Sequence, residues 1–116
     1  MSMNMESILT SVKKLIGMPE DYTVFDPDVI IHINSTFMIL TQMGVGPETG
    51  FRIEDSSAVW SDFIPEEDLR FEAVKSYVGL KAQLFFDPPT SSILLDCKKQ
   101  MIAELEWRLN IAAESD

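Results

Sequence analysis

The chain has 116 residues, 46% of them hydrophobic, and a formal net charge of −10, which leaves room for one modest core and not for two. That acidity argues against general binding to duplex nucleic acid, because too few cations are present to release counterions from phosphates. No apolar run approaches the roughly 20 residues needed to cross a bilayer. Cys97, the one cysteine, excludes an internal disulfide and fits a reducing compartment.

The opening residues Met1-Ser2-Met3-Asn4-Met5-Glu6 lack a basic leader and a cleavage site, so no signal peptide is expected and synthesis in the cytosol is. A first helix is predicted over Met5 to Ile16, with Ile8, Leu9, Val12, Leu15 and Ile16 forming one stripe. Lys13 and Lys14 fall in its last turn, where the dipole favours cations, and Gly17 suits the left-handed position that follows. Asp26-Pro27-Asp28 predicts a second start, with an Asp cap and Pro at the first helical position. That helix runs to about Met43 and is closed by Gly44. Its apolar residues surround most of the cylinder, so it lies centrally in the fold or across a subunit contact.

From 45 to 63 the pattern changes. Gly46, Pro47 and Gly50 punctuate the segment, Phe51-Arg52-Ile53 alternates like a short strand, and Ser57–Phe63 either pairs with it or forms a helical turn. An ordinary helix connection takes about 2–8 residues, so a longer one tends to be functional or disordered. Phe51, Trp60 and Phe63 argue against disorder. A third helix is predicted from Pro65, with Leu69, Val74, Tyr77, Val78, Leu84 and Phe85 facing the core and Glu66 paired to Arg70. It is shut after Phe86 by Asp87-Pro88-Pro89. A fourth helix spans about Ser92 to Ala112 with a stripe including Leu94, Leu95, Met101, Ile102, Leu105 and Leu109, and 113–116 frays. The fold class is therefore mainly α: residues 1–116 form a four-helix compact domain with a long irregular or short β-hairpin insertion between helices 2 and 3.

Chemistry is sparse. His32 is the one histidine and lies beside no second histidine or cysteine, so no zinc site, catalytic triad or other cofactor site is expected. It reads as a polar residue on the less buried side of the second helix, and Cys97 reads as a small half-buried residue on the last. Gly44–Gly50 is glycine-rich but lacks the lysine and setting of a phosphate loop. The corner between the third and fourth helices invites comparison with DNA-reading motifs, yet the fourth helix begins with Ile93-Leu94-Leu95-Asp96, not with basic residues. Acids crowd between Glu48 and Glu72 against Arg52 and Arg70 alone. They make a solvated face, or a surface that repels nucleic acid or meets a basic protein. No enzymatic role is expected.

The order of these elements, with Phe51-Arg52-Ile53, Trp60-Ser61-Asp62-Phe63 and the run from Tyr77 through Phe85-Phe86-Asp87-Pro88-Pro89, resembles the head–tail connector (head-completion or DNA-packaging) proteins of tailed bacteriophages and prophages. The resemblance extends over about Met5 to Ala112. It implies a structural virion protein at the head–tail junction, made in the bacterial host cytoplasm. Its subunits would form a ring that joins portal to tail or head-closure proteins and continues the DNA channel. DNA would pass without sequence-specific binding, and no membrane is involved. A closed ring of identical subunits needs two different patches on each copy. Phe51, Ile53, Trp60 and Phe63 of the middle segment, with Ile31 and Met38 of the second helix, are the candidate assembly residues. On that reading Trp60 can be lost without harm to the monomer. The alternative is an acidic adaptor or regulatory module that binds a basic protein. A DNA mimic fits less well, since the acids gather at helix starts.

Overall fold

The computed structural model of the chain describes the backbone of residues 6–115 and the side chains through Ile111. Met5 as the start of the first helix, and the tail expected to fray over 113–116, fall outside that full description. Five helices follow in order: α1 (Ile8–Leu15), α2 (Asp26–Gln42), α3 (Trp60–Phe63), α4 (Phe71–Phe86) and α5 (Ser92–Ser115). Four are the expected long helices. The fifth, α3, is a single turn within the middle segment.

Local chemistry sets the helix ends. Ser7 caps α1 by accepting a bond from the Thr10 N–H. At its other end Gly17 adopts φ +76°, and the N–H groups of Gly17 and Met18 donate back to the carbonyls of Lys14 and Lys13. Gly44 (φ +87°) closes α2 in the same way, with Gly44 and Val45 donating to Thr41 and Leu40. Both are glycine-ended Schellman closures, which only a left-handed residue completes without strain. Asp26 is the first residue of α2 and not its cap, which is Phe25. Its carboxylate pairs instead with Lys13 at 2.9 Å. Lys13 is buried, and its Nζ also donates to the carbonyls of Glu20 and Tyr22, so the last-turn lysine ties α1, the following loop and α2 together.

The β-hairpin alternative for the insertion is not what forms. Among the described residues there is no strand, only an isolated antiparallel bridge between Ser7 and Val59. Phe51-Arg52-Ile53 is held by a side chain and not by a second strand. Asn34 of α2 donates from Nδ2 to the Ile53 carbonyl (3.0 Å) and accepts from its N–H at Oδ1 (2.7 Å). One side-chain amide thus supplies both partners that a ladder would offer.

The predicted third helix begins later than Pro65. Asp68 accepts from the N–H of Arg70 and from its guanidinium, which stabilises a turn over 65–70 and leaves α4 to start at Phe71. The expected Glu66–Arg70 pair is therefore replaced by Asp68–Arg70 at 2.9 Å. Leu69, expected in the core, sits in this turn fully exposed. At the far end α4 stops at Phe86, and Asp87 before the two prolines has left the helical region, with φ −145° and ψ 62°, in keeping with the clash that disfavours a helical residue before proline.

The core lies between α1, α2, α4 and the middle segment. Phe37 is its hub: its ring meets Phe63 at 4.5 Å, Phe51 at 5.1 Å and Trp60 at 6.3 Å. The Trp60 indole N–H donates to Ser11 Oγ (2.9 Å), and Ser11 Oγ donates in turn to the Ile8 carbonyl. α4 packs against α1, α2 and α5. Tyr77, buried in α4, donates to Glu106 Oε2 of α5 at 2.7 Å; burial first, and then this carboxylate, push its hydroxyl pKa upward. Of the predicted α5 stripe, Ile102 and Leu109 are buried while Leu94 and Met101 stay exposed. Cys97 is exposed also.

Candidate assembly surface

α2 is apolar on two sides, and the core uses one of them. Val29, Ile33, Phe37 and Leu40 are buried, whereas Asp28, Ile31, Ser35 and Met38 recur every three to four residues on the outside. Ile31 and Met38 are 64% and 56% exposed. Two grooves open along this outer stripe. The first, about 710 Å³, lies beside the C-terminal end of α4 and is walled by Phe25, His32, Phe85 and Phe86. The second, about 590 Å³, lies beside the middle segment and is lined by Met38, Phe51 and Arg52. Ile31 and Ser35 border both, which makes one continuous face along the helix.

His32 belongs to the first groove as an aromatic plate. Its ring stacks on Phe85 with centroids 5.0 Å apart and meets the edge of Phe86 at 5.5 Å. Burial lowers its pKa from the usual 6.5; the Lys81 carbonyl opposes this and the Lys81 charge adds to it. Nε2 is buried with no hydrogen-bond partner. The ring is engaged in packing, with its face on Phe85 and its side against Phe86. Among the described residues no group of three His, Cys, Asp or Glu side chains is placed to hold a metal ion.

The six candidate residues separate in space. Ile31, Met38 and Phe51 come together on the second groove. Ile53, Trp60 and Phe63 are buried in this chain's own core, so they present nothing to a neighbour while the fold is intact. The sequence reading missed Phe25 and Phe85. Phe85 was assigned to the core but lies over His32, 68% exposed. No local signal marked it, because neighbouring helical residues about 100° apart can share one core, as Tyr77 and Val78 do in this helix.

Residues 8–116 match the model of a family described as phage connector protein. No curated protein and no solved structure matches the chain.

Proposed function

Because the chain belongs to the phage connector protein family, whose members are structural phage proteins, we propose that it is a subunit of a ring joining the portal to the tail. In that position it continues the DNA channel and acts by oligomerisation and docking. The observation that carries this reading is the match over residues 8–116. The apolar outer face of α2 is in keeping with it, since a contiguous exposed patch marks an interaction surface. The net charge of −10 suits a wall past which DNA must slide, because an acidic surface does not trap phosphates.

The neighbours on this reading are further copies of the chain, the portal protein and tail or head-closure proteins, at the head–tail junction of a virion assembled in the bacterial host cytoplasm. No helix among the described residues is long and apolar enough to cross a membrane. Co-sedimentation with a purified portal protein tests the proposal. A complex of fixed stoichiometry is expected, and it should weaken when Ile31 and Met38 are both changed to Glu. Failure to bind the portal at any concentration, with a salt-sensitive complex to a basic host protein instead, would replace the connector with an acidic adaptor.

A further inference from the structure

α5 exposes large apolar residues on the side that the core does not use. Ile102 and Leu109 are buried toward α4, while Ile93 and Trp107 are 74% and 62% exposed. Ile93 precedes Ile102 by nine residues, about two and a half turns at 3.6 residues per turn, and so points to the opposite side. Trp107, about four turns beyond Ile93, returns to that outer side. Cys97, Gln100 and Glu104 lie between them on the same strip, and Glu104 is paired with Arg108 at 2.8 Å. Asp96, at the edge of the strip on which Trp107 lies, is then its one charge outside that pair.

Two physical constraints select its occupant. Copies carrying −10 each repel, so they meet most easily where charge is sparse. The α2 face, whose outer stripe has Asp28 as its single charge, is such a surface. Of the exposed large hydrophobics among the described residues, Phe25, Ile31, Met38 and Phe85 lie at the α2 face and Ile93, Trp107 and Ile111 on the outer side of α5, while Leu15 and Met101 line a separate groove on the flank of α5. Size agrees as well. A 24-residue helix is about 36 Å long, and its outer half covers on the order of 600 Å². A standard interface takes about 800 Å² from each partner, so only a modest rim is needed in addition. Pairing like with like would end at two subunits, whereas two different patches joined head to tail propagate and can close into a ring.

Resting on the assembly reading above, we propose that the outer side of α5 docks on the α2 face of the next copy, with Trp107 against the wall formed by Phe85 and His32. Exposed Trp residues that enter aromatic pockets dominate interface energies, and the first groove offers such a pocket.

Disulfide capture tests the pairing directly. Cys97 lies about 15 Å from Trp107 along the α5 strip; with α5 antiparallel to α2, a second chain carries Cys97→Ser together with Gln42→Cys, about 15 Å from His32 along the outer stripe of α2. Mild oxidation of the mixture should give the mixed disulfide, and Trp107→Glu in the first chain should suppress it. Trp107→Glu alone should weaken self-association at least tenfold while leaving the melting temperature unchanged, because the side chain is exposed in the monomer. Disulfides formed only between two Cys97 residues, or none at all, would overturn the docking. So would self-association of Trp107→Glu equal to that of the natural chain. Portal binding is measured separately: if the natural chain binds the portal but capture fails, the docking is wrong and the connector reading stands.

Discussion

Trp60 is the residue at which composition misleads most. An aromatic in a glycine-punctuated segment suggests an interface, yet its indole lies against Phe37 and donates to Ser11. Trp60→Ala should therefore destabilise the monomer by about 3–5 kcal/mol, since it opens a core cavity. Urea unfolding measures this, and a loss below about 1 kcal/mol would return Trp60 to the interface. His32 makes a pH prediction. Its folded pKa lies below the usual 6.5, so in mild acid the unfolded chain takes up a proton that the folded ring refuses. Stability is then full above 6.5 and declines as pH falls through the window beneath it. His32→Leu should flatten that decline in denaturation measured on either side of 6.5. Asp68 acts in a separate window. The Arg70 hydrogen bond holds its carboxyl below 3.8, so its contribution is lost only in stronger acid.

At the scale of elements, the segment between α2 and α4 depends on one amide. Asn34→Ala strips both partners from the buried Ile53 backbone, and a buried group left unsatisfied costs about 1–3 kcal/mol. Hydrogen exchange should show protection lost first over 50–58, with α4 unaffected; uniform loss would mean that Asn34 holds nothing local. The helices were legible in the chain because caps and breakers are local. Gly17, Gly44 and Pro88-Pro89 end α1, α2 and α4 where the sequence places those ends. The insertion was not legible as a coil, because its partner, Asn34, lies 19 residues away and an Asn side chain announces no long-range bond. Half of the candidate surface was legible. Ile31 and Met38 follow from a helix apolar all round, but which of its sides the core takes is decided by packing with α4.

For the whole molecule the balance is between a strong net charge and two apolar faces. If association runs through those faces, raising ionic strength should tighten it, since screening removes the repulsion between copies and leaves the apolar contact intact. Sedimentation across a salt series checks this; weakening by salt would point to a contact made by opposite charges.

Burial also divides the two tryptophans, with Trp60 2% exposed and Trp107 62% exposed. The protein thus contains two intrinsic fluorophores in unlike surroundings, one shielded and blue-emitting, the other open to a collisional quencher. Acrylamide would read them apart without any label, so loss of folding and gain of neighbours can be followed in one cuvette as changes in opposite directions.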